Sequence, residues 1–354
     1  AGVTESGMTI KDLENSDLTY EKKHELNIGA DLGFLDNRIN LTVDWYKRDN
    51  FDLIGRVMTQ GIGGQIQKYG NVATMKSRGI EFSLSTKNIK TKDFSWTTDF
   101  IYSHMKNEVT KFNTSTRAFN LVSGIGFSRE GYPVNSLFSY DFRGLNEDGV
   151  PAFINEAGVL TSTDINFQET ERFDNLVYSG PSEPTDVGSF GNIFQYKGLR
   201  LNVFITYSFG NVVRLDPVFS SIYNDLDAMP REFRNRWMTP GDERYTDVPA
   251  IVSSRQVRND SKLSYAYNAY NYSTARIAKG DFIRMKEISL TYDFPKRWIK
   301  KLRMSNLALK IQATNLFLIY ADKKLNGQDP EFFNSGGVAT PVPKQFTLTL
   351  KIGL

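Results

Sequence analysis

Apolar and polar residues alternate along most of this chain. "HELNIGADLGF" sets Leu26, Ile28, Ala30, Leu32 and Phe34 on one face of an extended strand. After the short polar turn "LDNR", "INLTVDWYKR" repeats the pattern with Ile39, Leu41, Val43 and Trp45. A second pair, "GIEFSLSTK" and "FSWTTDFIYS", is joined by "NIKTKD" and sets Ile80, Phe82 and Leu84 against Glu81, Ser83 and Ser85. "SLFSYDFRGL" predicts another strand, with Phe138, Tyr140 and Phe142 on one side. "GSFGNIFQY" turns at "KG" into "LRLNVFITYSFGN", where Leu201, Val203, Ile205, Tyr207 and Phe209 share a face. "FIRMKEISLTYDF", "SNLALKIQATNLFLIY" and the terminal "FTLTLKIGL" complete the series. Period two throughout predicts about ten strands and almost no helix.

The oily side of such strands can face a protein interior, as in a soluble sandwich, or lipid. Three features favour lipid. Several strands run about nine to fourteen residues, the length of a tilted membrane strand, whereas soluble strands cluster near five or six. Connections alternate in length: "LDNR", "NIKTKD", "KG" and "PKRWIKK" are short, while residues 55–71, 111–135, 211–280 and 321–343 are long. Short turns at one rim and long loops at the other are the outer-membrane pattern. Aromatic residues crowd the strand ends, among them Phe34, Trp45, Phe51, Tyr102, Tyr292, Phe294, Phe317 and Tyr320, as in interfacial girdles. Asp31, Asp44, Glu81, Asp99, Lys310 and Lys351 fall mainly on the polar faces. The predicted class is all-β: a transmembrane antiparallel β-barrel with long extracellular loops and short periplasmic turns.

Composition narrows the function. Forty-three basic residues nearly balance forty acidic ones, so no broad charge field points to nucleic acid. Cysteine is absent, which removes disulfides and thiolate metal sites. No run of about eighteen apolar residues occurs, so a membrane helix is not expected, while a β-barrel remains open. His24 and His104 stand far apart without the neighbours a zinc or hydrolytic centre needs, and no enzyme, metal or cofactor is expected. The start "AGVTESGMTI" lacks a basic segment followed by an apolar one, so the expectation is a processed chain or an internal piece of one.

Across nearly its whole length the chain resembles the SusC/RagA family of TonB-dependent outer-membrane transporters of Bacteroidota. The resemblance is carried by "RINLTVDWYKRDNFDLI", "NVATMKSRGIEFSLSTKNIKTKDFSWTTDFIYSHMKNEV", "GYPVNSLFSYDFRGLNEDGVPAF", "YKGLRLNVFITYSFGN", "RWMTPGD", "GDFIRMKEISLTYDFP", "NLFLIY" and "DPE", in that order and spacing. It implies that residues 1–354 are the C-terminal portion of a barrel of about 22 strands with a plugged lumen. The family's N-terminal extension, TonB-contacting segment, plug and early strands have no counterpart in these residues. Leu354 stands where such barrels commonly end in an aromatic residue. The implied function is active import of a large nutrient, a glycan or a peptide. A SusD-like surface lipoprotein would act as the lid, and the TonB complex would supply energy through the part not matched here. A passive porin-like channel and a soluble carbohydrate-binding β protein are the competing functions.

Individual motifs add candidates. "SYAYNAYNY" places Tyr265, Tyr267, Tyr270 and Tyr272 in the longest loop, as ligand or lid contacts or as aromatic packing among loops. In "RWMTPGD", Pro240 and Gly241 make a turn that Trp237 packs, and Trp237 is a further candidate for the lid surface. "DPE" (Asp329 to Glu331) suits a hydrogen-bonded loop turn, with two carboxylates too few for calcium. "GIGGQ" at 61–65 lacks the following helix of a phosphate loop. "PKRWIKKLR" gathers five basic residues beside Trp298, and is either a headgroup anchor in a periplasmic turn or a merely solvated one.

Overall fold

The computed structural model describes residues 14–59, 61, 67–114, 116–124, 128–218, 230–301, 304–333 and 343–353. The chain opens with four long strands, β1 (Lys22–Phe34), β2 (Ile39–Met58), β3 (Gln67–Lys90) and β4 (Phe94–Phe112). An excursion follows, with helix α1 (Ala118–Ser123) and strands β5 (Ser136–Tyr140), β6 (Phe142–Leu145), β7 (Pro151–Ile154), β8 (Leu160–Thr161) and β9 (Leu176–Pro181). The hairpin β10 (Asp186–Tyr196) and β11 (Leu199–Phe209) comes next. A second excursion holds β12 (Val212–Arg214), α2 (Ser254–Asn259), α3 (Lys262–Asn271) and β13 (Ile277–Lys279). Strand β14 (Phe282–Asp293), helix α4 (Lys296–Lys301), β15 (Asn306–Ala321) and β16 (Gln345–Gly353) complete the chain.

Nine strands form one antiparallel sheet in the order β1-β2-β3-β4-β10-β11-β14-β15-β16, a meander in chain order. Its short turns lie where the polar segments predict them. Leu35, Asp36 and Asn37 take positive φ between β1 and β2, and Lys197 does so between β10 and β11. Register shows one continuous face: Leu32 lies opposite Leu41, Leu41 opposite Leu84, Leu84 opposite Phe100 and Phe100 opposite Phe190. Residues of this outward face are exposed or half-exposed: Leu26 and Ile311 at 53% and Leu348 at 70%, with Leu41, Leu84 and Phe100 intermediate. A soluble sandwich would bury these side chains, at about 1.5–3 kcal/mol each. Here they stay open on the outside of the sheet, which fits the lipid side of a membrane barrel and not the interior of a soluble sandwich.

The water-excluded core sits elsewhere. Val122, Phe138, Tyr140, Phe153, Ala269 and Tyr270 cluster in the loop excursions, all at 2% exposure or less. This loop domain stands on the extracellular rim. There β2, β3 and β4, at 20, 24 and 19 residues, run well past the about nine to eleven needed to cross a bilayer.

Three expectations need correction. The main sheet has nine strands among the described residues, in keeping with the about ten expected, but "SLFSYDFRGL" is not one of them: it forms β5 and β6 in small separate sheets of the loop domain. All five residues of β5 are buried, so both of its sides face protein. Much of the predicted loop 55–71 is strand, since β2 reaches Met58 and β3 starts at Gln67. "SYAYNAYNY" is largely the helix α3 rather than irregular loop. Of the glycine motif only Gly61 is described; Ile62 to Gln65 lie outside the described residues.

Candidate binding face at the lumen and loop domain

The inward parity of β11, β14, β15 and β16 builds a polar wall. Glu287 on β14 is its centre: Oε1 accepts from Asn202 Nδ2 at 3.2 Å and Oε2 from Gln312 Nε2 at 3.1 Å. Lys310 Nζ lies 3.9 Å from Oε1. Arg200, Asp293 and Lys351 join these groups around a cavity of about 450 Å³. Charges of both signs, half-exposed and mutually hydrogen-bonded, suit a wetted passage and not an apolar core.

Nearer the extracellular rim, Arg284 projects inward from β14 and is 4% exposed. Its Nη2 donates to Asp329 Oδ1, and its Nε lies 3.1 Å from Glu331 Oε2. Asp329 also accepts from the Glu331 backbone N–H at 3.1 Å, capping the short turn Pro330–Phe332. The "DPE" motif therefore ties the β15–β16 connection to the luminal wall.

The sequence-derived site residues do not gather into one surface. In α3, Tyr267 is 1% exposed and its hydroxyl donates to the Ala250 carbonyl at 2.7 Å. Tyr270, at 2% exposure, packs edge-on to Phe142, and burial raises its phenol pKa above the ordinary value. These two rings are core residues here, which corrects the reading of them as ligand or lid contacts. Tyr272 is half-buried against Phe119, with the Arg214 guanidinium 5.5 Å from its ring centre. Tyr265 alone of the four is exposed, at 48%, on the far side of the helix, with Phe167 at 6.0 Å.

Trp237 is half-buried and donates through Nε1 to Glu243 Oε2 at 3.1 Å. The backbone N–H of Glu243 itself, Trp237 Nε1 and the Gly241 N–H together hold the Glu243 carboxyl below the usual carboxylate range. Asp242 Oδ2 accepts from the Met238 and Thr239 backbone N–H groups, both at 3.0 Å, so the "RWMTPGD" turn satisfies itself. Gly149 (φ +72°) faces the indole, and a methyl group there would collide with the ring. Gly149→Ala is expected to cost about 1–2 kcal/mol from the left-handed backbone alone. The check is faster proteolysis of the loop domain with a red-shifted indole emission; an unchanged cleavage rate contradicts the packing.

Buried cations, which sequence reading missed, brace the loop domain. Arg276, 2% exposed, pairs through Nη1 with Glu232 at 2.5 Å and donates through Nη2 to the Asp216 carbonyl at 2.5 Å. Arg214 Nη2 donates to the Phe138 carbonyl at 2.7 Å, and burial pushes the guanidinium pKa down to about 10. The two histidines are apart: His24 lies against Phe51, and His104 Nδ1 is 2.7 Å from Asp186 Oδ1. No local motif marks these pairs, because each partner comes from a distant part of the chain.

Antiparallel strands oily outside and charged inside, with long connections folded into a domain on one rim, define a receptor-type outer-membrane β-barrel. The sequence profile described as TonB dependent receptor-like, beta-barrel matches residues 6–316, and the chain belongs to that family. It is 27% identical over 357 residues to the TonB-dependent receptor SusC of Bacteroides thetaiotaomicron, covering 96% of this chain and 32% of that protein. A TonB-dependent receptor of Formosa agariphila is 26% identical over 344 residues, covering 92% of this chain and 32% of its own length. The chain thus spans about a third of the curated relatives it matches. Among solved structures, the RagAB peptide transporter superposes with a TM-score of 0.74 at 24% identity, over 98% of this chain and 37% of that one. The fold is that of this barrel, and the protein is an outer-membrane β-barrel protein of the TonB-dependent receptor family.

Proposed function

We propose that these strands form part of the wall of an active importer, within a barrel closed by further strands outside this sequence. Among the described residues, one edge of β1 and one of β16 have no strand partner, and in lipid each stranded N–H or C=O costs several kcal/mol. The single observation that carries the reading is the division of faces: hydrocarbon-facing residues outside, a hydrogen-bonded charged wall around Glu287 inside. On this reading residues 1–354 are the C-terminal stretch of a barrel of about 22 strands, and the plug and the TonB-contacting segment precede it. A SusD-like lipoprotein covers the loop domain, traps the cargo, and releases it inward when TonB rearranges the plug. The cargo is a glycan or a peptide; the likeness to the RagAB peptide transporter supports the second.

The test uses a strain lacking the gene, complemented with the full-length protein. Labelled oligosaccharides and oligopeptides are followed into cells before and after collapse of the inner-membrane proton gradient. Uptake of one class that depends on both gene and gradient is expected; uptake that survives collapse would replace this reading with a passive channel.

Tyr265 is the one tyrosine of its cluster open to cargo or lid. A ring stack is worth about 0.5–1.5 kcal/mol, so Tyr265→Ala is expected to weaken cargo or lid binding about two- to tenfold. Tyr267→Phe, which removes the buried hydrogen bond to the Ala250 carbonyl, is expected to leave binding unchanged. Equal binding by wild type and Tyr265→Ala in titrations with both cargo and lid removes the role.

A further inference from the structure

On the outward face of the barrel, three cations stand in one row across three adjacent strands. Lys47 on β2 lies directly opposite Arg78 on β3, and Arg78 directly opposite Lys106 on β4. All three side chains are exposed. Like charges placed opposite each other destabilise a sheet. Neighbouring rows have no such conflict. Toward the loop domain, the next outward row reads Asp49, Lys76, Glu108, with alternating signs. Toward the membrane, it reads Trp45, Ile80, His104. The cations therefore sit one outward position, about 7 Å along the strand, above the first lipid-facing row.

The carboxylates within reach do not neutralise the row. Asp186 already accepts from Tyr102 at 2.6 Å and Thr185 at 2.6 Å, and lies against His104. Glu183 accepts from Asn135 Nδ2 at 2.8 Å. Lys47 makes one long ion pair, at 3.8 Å to Asp49, while no ion pair of Arg78 or Lys106 occurs among the described residues. The same three cations line a cleft of about 710 Å³ between the outward face and the loop domain, with Trp45 and Tyr178; Lys76 adds a fourth cation to its lining, and Glu108 and Glu183 two carboxylates, so the balance stays positive.

We propose that the Lys47–Arg78–Lys106 row docks the phosphorylated headgroup of an outer-leaflet lipid, whose acyl chains run down over Trp45 and Ile80. Charge decides for an anion, and the apolar row directly beneath decides for an amphiphilic one. Phosphate oxygens bridging adjacent strands would turn mutual repulsion into charge-assisted hydrogen bonds.

The experiment uses the full-length protein in detergent, with native mass spectrometry reading retention of bisphosphorylated lipid A against its dephosphorylated form. Wild type is expected to prefer the phosphorylated lipid. Lys47→Gln/Arg78→Gln/Lys106→Gln is expected to lose about tenfold or more of that retention, the scale of one charge-assisted hydrogen bond. Lys68→Gln, exposed on the same strand β3 but outside the cleft, is expected to keep it. Compact gel mobility before heating verifies folding; if the triple variant does not fold, Arg78→Gln alone carries the test and is expected to lose most of the preference. Equal retention by variant and wild type, or no discrimination by wild type, overturns the proposal. So does an equal loss in Lys68→Gln. Displacement of the lipid by millimolar inorganic phosphate would instead mark a free-anion site and overturn lipid docking.

Discussion

Replacing Arg284 by alanine is expected to free the β15–β16 connection from the luminal wall at a cost of about 3–5 kcal/mol, the range for breaking a buried ion pair from one side. The side chains of Arg284 and Asp329 are only 5% and 8% exposed. Without the guanidinium, the Asp329 carboxylate remains out of water with the Glu331 backbone N–H as its remaining donor. Glu331, at 37% side-chain exposure, can turn to solvent and loses little. The double variant Arg284→Leu/Asp329→Leu is therefore expected to recover part of the loss, because no uncompensated charge stays buried. The readouts are protease cleavage within residues 322–344 and the temperature at which the full-length barrel loses its compact gel mobility. A single variant no worse than the double would show that the pair does not hold the loop.

Strand positions were readable because a face wetted by lipid must alternate without interruption. A polar slip in "INLTVDW" or "FTLTLKI" would put charge into hydrocarbon. The loop domain obeys no such rule. Strand β5 carries the same alternation, with Phe138 and Tyr140 in step, yet packs protein on both sides; its length of five residues was the available warning. In "SYAYNAYNY" the tyrosines at 265 and 267 suggest period two. The helix instead aligns Ala266, Ala269 and Tyr270 with Tyr267 on the buried side, and leaves Tyr265 outside. "SSRQ" was a legible helix start: Ser253 and Gln256 form a reciprocal capping box at α2. The Glu287 cluster was not legible. It depends on a register shift around Lys286 that brings Gln312 and Asn202 to the same carboxylate, and no local pattern encodes that shift.

Two arginine substitutions at adjacent positions measure which side of the sheet meets lipid. At Leu84, midway along the membrane part of β3 and opposite Leu41 and Phe100, arginine must place its charge in hydrocarbon or bend away from its row. The expected cost is about 2–4 kcal/mol near the bilayer midplane. At Ser85, one residue on, the side chain points into the lumen directly across from Asp99. There arginine gains a counter-ion in a wetted passage, where an exposed pair is worth about 0–1 kcal/mol, so the change is expected to be close to neutral. Refolding the full-length protein into lipid vesicles and comparing urea midpoints reads both. Loss at Leu84 with retention at Ser85 follows only if the oily face is wetted by acyl chains. Equal loss at the two sites, or loss at Ser85 alone, would mean that protein covers the outward face, and that Leu84, Phe100 and Phe190 belong to a buried interface rather than to a bilayer.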